Sequence, residues 1–391
     1  MEPLLTLEQI FGREYVINGR GSYHNSHWLP NEVSQDSSSG SLLTLAGDIP
    51  MVCHTDVRRE SCLALLQAAG LRTGSKLLTY EDADSYYDRL EGLQQDGKSV
   101  IFNYAHLPNE FEAGQYWIKR ELLLFLNNKR NLAELVQNRH VPSRVLLSID
   151  EFMNNDRLPY DYPYVVKAAT DQPSGGGIEV VICRSKADLE QAKTLFRSCS
   201  FVVVEQFLAI KKNFCIQFAQ TYSGELVYLG SAEQIITEQG KYAGNWFDEH
   251  DQPPAEAIEL CKQVMHKAVS LGYFGFAGID TVITEDNQIY IIDLNFRQNG
   301  STVALLFRNS IVSEWGATVM KARKWKSDRA FDECKMQVES FISEKRLLPL
   351  CIFNPTVQTA ERPIFMSCVL VGNSKEEVME AERQMQALGF E

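Results

Sequence analysis

Nothing in this chain of 391 residues supplies a paired-thiol motif, a long apolar run or an excess of basic charge. Its nine cysteines are scattered, with no Cys-x-x-Cys among them, and an odd number of unpaired positions suits reduced thiols and a cytoplasmic location. No apolar stretch approaches the roughly 18 residues that cross a bilayer, so no membrane attachment is expected. The N-terminus lacks a basic segment followed by an apolar one, which excludes a recognisable secretion signal. Lys and Arg number 38 against 51 Asp and Glu, a net charge of −13 that argues against nucleic acid or an anionic membrane as main partner. No internal repeat is visible. What remains is ordinary for a globular protein, 45% hydrophobic and 23% charged, with length for two or three packed domains.

Alternating apolar segments organise the first third. Strands are expected near 51–53, 76–79 and 99–104, with helices over 61–69 and 81–94, a small α/β unit with a parallel sheet. Residues before 48 read as irregular, and the tract 34–41 as a mobile polar loop. Ligands of parallel sheets lie beyond the strand C-termini, which makes His54, Asp56, Arg58 and His106 candidate substrate contacts, although polar surface loops would place them there equally well. Residues 92–99 satisfy the pattern of a phosphate-binding loop, but a helix enters and a strand leaves, the reverse of what that loop needs. A helical stretch follows over 116–138. Strands are expected over 164–169, 178–183, 201–207, 214–221 and 225–230, with helices over 187–195 and 254–271. The last part carries strands near Val338 and over 366–371, then a helix over 375–387.

The most specific chemistry lies in residues 278–297. Two β-branched, alternating segments flank Asp286-Asn287, which tolerate a tight turn. A two-residue turn there sets Asp280 directly opposite Asp293, and alternation puts Asn295 on the same face. Like charges facing each other across a ladder are destabilising. A hard divalent cation would resolve the repulsion, since Mg²⁺ accepts carboxylates and carbonyl oxygens. Arg297 shares that face and suits phosphate oxygens. The competing reading is a solvated hairpin with incidental acids.

Upstream, Lys167 ends a strand and Ser174-Gly175-Gly176-Gly177 precedes the next, a turn small enough for backbone N–H groups to approach phosphate. Glu205-Gln206-Phe207 closes an apolar strand whose end can read the edge of a base. In isolation these are a loose hairpin turn and an edge-strand acid. In order, Lys129, Lys167 before a glycine-rich hairpin, a strand ending Glu205-x-Phe207 and an Asp…Asp-x-Asn-x-Arg hairpin resemble the ATP-grasp superfamily over about residues 116–310.

The resemblance implies an α/β and α+β architecture: an N-terminal α/β domain of the pre-ATP-grasp kind over 1–115, an ATP-grasp core over 116–325 with its lid at about 142–207, and a small C-terminal α+β appendage over 326–391. It implies that Lys129, Lys167 and residues Ser174, Gly175, Gly176 and Gly177 grip ATP phosphates, and that Glu205, Gln206 and Phe207 hold adenine. Asn213 would stand near the ribose, where relatives often carry an acid or His. Asp280, Asp293 and Asn295 would hold Mg²⁺, or Mn²⁺ in its place, and Arg297 and Lys167 would act on the transferred phosphoryl group. Two departures stand out: no basic residue in the glycine-rich loop, and Asp280 where Glu is commoner.

The activity implied is ATP-dependent ligation of a carboxylate to an amine through an acyl phosphate, releasing ADP and phosphate, on small-molecule amino-acid or natural-product substrates. The layout loosely resembles pheganomycin-type peptide ligases, and a homodimer is the assembly such relatives often form. A kinase acting on a stable acceptor and a non-catalytic nucleotide-binding module are the alternatives. The loop 238–245, with Lys241, and the run Asn299, Gly300, Ser301 and Thr302 are further candidates for shaping the substrate pocket, the latter for a substrate carboxylate.

Overall fold

Four short strands, β1 (Tyr15–Asn18), β2 (Met51–His54), β3 (Leu77–Tyr80) and β4 (Ser99–Phe102), form a parallel sheet in the order β3-β2-β1-β4 in the computed structural model, which describes every residue except 156, 238 and 239. β1 and β2 are almost wholly buried, as expected of parallel strands covered on both faces. The strand order reverses between β1 and β4, so the chain opens a crevice at their C-terminal ends.

The irregular start expected before residue 48 is a misreading. β1 is an inner strand of this sheet, and the helix Glu32–Ser38 runs into the tract expected to be a mobile loop. Asn31 caps it by accepting from the Ser34 amide at 2.9 Å, and the Ser37 and Ser38 hydroxyls both donate to the Ser34 carbonyl. The tract is polar because its polar groups are paired internally. Asp36, buried, accepts from Arg20 Nε at 2.7 Å and from the hydroxyls of Tyr80 and Tyr23 at 3.0 and 3.2 Å.

The helical stretch expected over 116–138 breaks at Asn128, which is extended (φ −83°, ψ 123°) between the helix Arg120–Asn127 and a 3₁₀ turn, Lys129–Asn131. Its side chain accepts from the Arg130 amide at 3.0 Å. The break leaves Lys129 buried in the interior. At residues 92–99 the helix Ala83–Gln95 does end at a left-handed Gly97 (φ 63°) before β4, so no phosphate loop exists there.

A second sheet is antiparallel, in the order β5 (Arg144–Ser148), β8 (Phe201–Gln206), β6 (Tyr164–Ala169), β7 (Val180–Cys183). Helices Ile149–Asn154 and Lys186–Phe196 back it around Phe152, Phe196, Val166 and Val204. Trp28, from the N-terminal domain, is 1% exposed and packs in this same cluster, its ring 5.7 Å from Phe196.

The third sheet has eight strands in the order β13-β12-β9-β10-β11-β14-β16-β15: β9 (Ile210–Gln220), β10 (Leu226–Ile236), β11 (Tyr242–Asp248), β12 (Gly275–Thr284), β13 (Ile289–Asn295), β14 (Val319–Ser327), β15 (Leu347–Phe353) and β16 (Ile364–Gly372). The helix Ala255–Ser270 packs on it through Ala257, Leu260, Cys261, Val264 and Ala268, a stripe at helical spacing. Val338, expected in a strand, sits in the helix Phe331–Ser343, where Cys334, Val338, Phe341 and Ile342 form its buried face. Among the described residues no helix is long and apolar enough to cross a membrane.

The C-terminal strands hold the N-terminal domain. The Asn354 amide donates to Asp56 O at 3.2 Å, and Lys324 Nζ donates to Ser34 O at 2.8 Å and to the Ser38 hydroxyl at 3.0 Å. Burial pushes the Lys324 ammonium down to about 8, only partly offset by Cys351 and Asp36. Its folded value lies below its unfolded one, so the charged form costs stability below about pH 8, and that cost fades as pH rises towards 10.5. Relative to Lys324→Met, the wild type should therefore gain up to about 1.4 kcal/mol per pH unit across that window. Urea midpoints of both proteins from pH 7 to 10 check it, and a constant gap would refute it.

Candidate functional site

The hairpin of β12 and β13 meets the expected pairing by a different route. Thr284 donates to Gln288 O at 3.0 Å and Asn287 to Thr284 O at 2.9 Å, with Asn287 left-handed at φ 61°. The loop is thus Glu285-Asp286-Asn287, one residue longer than a two-residue turn, which alone would slide Asp280 against Ile292. A bulge beside Asp280 absorbs the extra residue and restores Asp280 opposite Asp293, with Asn295 opposite Gly278. The bulged Ile292 presents its carbonyl to Lys167 Nζ at 2.8 Å.

The two acids differ in state. Burial, reinforced by Asp293, pushes the Asp280 carboxyl up to about 6. Burial would raise Asp293 as well, but Lys129 and Lys167 pull it below the usual carboxylate range. Lys129 Nζ lies 2.7 Å from Asp293 and 3.2 Å from Glu179, and these carboxylates outweigh the downward push of burial on its ammonium. Asp280 accepts from Gln234 Nε2 at 3.0 Å and from Asn295 Nδ2 at 3.3 Å. Arg297 Nη2 donates to Asn295 Oδ1 at 2.8 Å and to Ser174 O at 3.2 Å, its guanidinium 5.0 Å from the Tyr104 ring centre.

Lys167 reaches Glu205 at 2.7 Å, and Glu205 lies opposite Arg144 across β5 and β8 at 3.6 Å. Arg144 also donates to Lys129 O at 2.6 Å. Glu205 Oε1, Arg144 Nη1 and Glu179 Oε2 are buried without a hydrogen-bond partner, a combination that a polar ligand would complete. Arg144 and Glu179 were missed from the sequence. A space of about 230 Å³ borders Lys129, Glu205 and Asp293.

The glycine-rich turn arches towards this cluster. Gly176 and Gly177 both adopt φ 75°, where a side chain would be strained, and a Cβ on Gly177 would meet Gly240 O at 3.3 Å. Gly175 donates to Trp28 O at 3.1 Å. Gln206 is half-buried and Phe207 exposed at the strand end. Asn213 lies on β9 opposite Val282, sharing a face with Cys215, the residue opposite Asp280. Burial holds the Cys215 thiol well above its ordinary value, aided by Asp280, so it is no nucleophile.

The substrate-side candidates come apart. His54 Nδ1 accepts from the Asp56 amide at 3.1 Å and its Nε2 lies 3.0 Å from Glu81 O, while Asp56 Oδ1 accepts from Thr356. Both are buried where the N-terminal domain meets the C-terminal segment, and Arg58 is exposed. His106 is fully buried, its Nε2 2.7 Å from the Tyr86 hydroxyl, and burial lowers it to about 4, so it stays neutral. The polar atoms of His54, Asp56 and His106 thus already serve the fold. Ser301 and Thr302 are buried too, both bonded to Gln217, and Asn299 accepts from Gln217 Nε2 at 2.8 Å. A Cβ on Gly300 would meet the Tyr242 hydroxyl at 2.5 Å. Lys241 is exposed, and Glu238 and Gln239 of that loop lie outside the described residues.

The donor set suits Mg²⁺. Two carboxylates and an amide share a patch whose like charges are uncompensated at Asp280, and Mg²⁺ needs only one or two protein carboxylates beside substrate phosphates. Among the described residues no three His, Cys, Asp or Glu side chains cluster to hold a metal by themselves.

Comparison with known proteins finds the same layout. Residues 142–295 match the family model "L-aspartate--L-methionine ligase, ATP grasp", and residues 6–124 match "L-aspartate--L-methionine ligase N-terminal domain". Among solved structures, an ADP complex of N5-carboxyaminoimidazole ribonucleotide synthetase is 14% identical, with 99% of this chain and 98% of that one aligned at a TM-score of 0.61. N5-carboxyaminoimidazole synthetase from Staphylococcus aureus is 15% identical, 99% of each chain covered, TM-score 0.58. An L-amino acid ligase from Bacillus licheniformis is 15% identical, covering 97% of this chain and 98% of that one, TM-score 0.54. At these identities the structural likeness is one of fold.

Proposed function

We propose that this chain, which belongs to the ATP-grasp superfamily of carboxylate–amine ligases, joins two amino acids, with L-aspartate as the carboxylate and L-methionine as the amine. The observation that carries the phosphoryl chemistry is the convergence of Lys129, Lys167 and Arg297 on the opposed Asp280–Asp293 pair. The matching domain models support the choice of substrates.

A carboxylate is a poor electrophile, so one of its oxygens attacks the γ-phosphorus of ATP, the bond to ADP breaks, and an acyl phosphate forms. The amine nitrogen then attacks the acyl carbon, the carbon–oxygen bond breaks, and phosphate leaves with the electron pair as the nitrogen loses its proton. Lys129 and Lys167 exchange their carboxylate partners for phosphate oxygens, and Arg297 meets the equatorial oxygens of the phosphoryl group in transfer. Glu205 accepts from the adenine amino group, Gln206 and Phe207 offer backbone groups, and Asn213 faces the ribose. The glycine-rich turn covers the phosphates and keeps water from the acyl phosphate. Asp280, Asp293 and Asn295 would hold Mg²⁺, which neutralises charge on the phosphates, and Mn²⁺ suits the same donors.

The test is Mg²⁺-dependent ADP release with L-aspartate and L-methionine, separately and together. ADP is expected only when both are present, with a dipeptide in equal amount. ADP and a stable phosphorylated product from one acceptor alone would establish a kinase instead, and AMP as product would rule out the acyl phosphate.

A further inference from the structure

Beside Arg297 lies a solvent-open space of about 460 Å³, bounded by the helix Arg120–Asn127, the end of β4, the lid segment 170–174 and the end of β13. Asn295 and Arg297 line it, so it adjoins the place where the phosphoryl group would transfer. Lys129 and Ser174, read above as phosphate contacts, line it too, but phosphoryl transfer does not explain the remaining residues. Leu123 and Leu124 from the helix, with Pro173 from the lid, give it an apolar flank. Asp171 lines it as well, exposed on the lid, with Oδ1 accepting from Asn128 Nδ2 at 2.6 Å. Asn128 immediately precedes Lys129, which ties this carboxylate to the segment that carries a phosphate cation.

Asp171 is the only carboxylate lining this space among the described residues. Beside the cations Lys129 and Arg297 this carboxylate gives the space both signs, which suits a zwitterion better than a triphosphate or an acidic amino acid. An apolar flank likewise disfavours a charged side chain. The occupant that satisfies both is an amphipathic amino acid with an ammonium head and an apolar side chain. We infer that this space seats the amine substrate, an α-amino acid with an apolar side chain, its ammonium on Asp171 and its side chain against Leu123 and Leu124. The inference rests on the ligase reading above and assigns one of its two substrates a place. Leu124 is the part-exposed member of the flank and so the one that limits side-chain size.

Hydroxylamine separates the two halves of the reaction, because it is small and neutral and captures an acyl phosphate as a hydroxamate without needing the seat. In Asp171→Asn the KM for L-methionine should rise roughly 10- to 100-fold, the loss of one hydrogen bond between charged groups. The KM for ATP and the rate of hydroxamate formation from L-aspartate should not change. In Leu124→Ala the kcat/KM ratio of L-phenylalanine to L-methionine should rise. Hydroxamate formation with an unchanged L-methionine KM in Asp171→Asn overturns the seat alone. A parallel loss of hydroxamate formation places Asp171 in the phosphate grip and overturns it too. A wild type that forms no hydroxamate from L-aspartate overturns the ligase reading for that carboxylate, and the seat with it.

Discussion

Replacing Asp293 with Asn should lower single-turnover ADP formation by on the order of 10³-fold while changing the thermal midpoint little. Asp293 stands opposite Asp280 and 2.7 Å from Lys129 Nζ. Without its charge, the proposed cation loses a ligand and Lys129 is left to Glu179 alone, 3.2 Å away. Asp280 loses the like charge that helps to hold it near 6 and becomes easier to ionise in the folded protein. Relief of the repulsion between the strands is offset by loss of the buried pair with Lys129, whose charge holds the Asp293 carboxyl below its usual range. A collapse of activity with intact stability is what a ligand to metal and phosphate predicts, and what a structural ion pair does not. Single-turnover kinetics and a melting curve at saturating Mg²⁺ decide it: a loss under tenfold would remove the acidic pair from the chemistry.

Arg20→Met should have the largest effect on stability, about 3–5 kcal/mol. Arg20 and Asp36 are paired at 2.7 Å with side chains 0% and 3% exposed, and the guanidinium carbon lies 3.2 Å from the Tyr23 ring centre. Removing the cation leaves a buried carboxylate served by two tyrosine hydroxyls. The loss comes chiefly from that stranded charge, so Arg20→Met with Asp36→Leu should recover most of it. Urea midpoints of the single and double variants test this, and equal losses in both would mean that packing around Arg20 matters more than its charge.

The acidic hairpin was legible because its signal is local. Period-two alternation places Asp280, Asp293 and Asn295 on one face whatever surrounds them, even though the turn is longer than supposed and a bulge resets the register. Lys167, the glycine-rich turn and Glu205 could be read because they mark strand ends in a recognisable order. Glu179 and Arg144 left no such trace. Glu179 matters because it meets Lys129, fifty positions earlier, and Arg144 because β5 pairs with β8. β1 is only Tyr15–Asn18, too short for periodicity to register. The serine-rich tract looked disordered by composition, yet its hydroxyls bond within its own helix. His54, Asp56 and His106 could be placed after a strand but not given a direction, and their side chains turn inward to the fold. The apolar stripe of 331–343 fits a helix, and the expected strand at Val338 missed its spacing of three and four.

Trp28 gives the lid a counterweight. Any outward swing of the lid must draw an indole of the N-terminal domain out of the apolar socket formed with Phe196 and its neighbours, and must break the bond from Gly175 to Trp28 O. Leaving such a socket costs roughly 4–6 kcal/mol, at about 25 cal/mol per Å² of the 150–250 Å² an aromatic side chain buries. Yet the indole Nε1–H is buried there without a partner, a defect worth about 1–3 kcal/mol that opening to water repairs. The two terms run against each other, and the socket is the larger. If this sheet is the lid proposed above, the door is weighted towards closed, and the unpaired indole N–H is what lightens it.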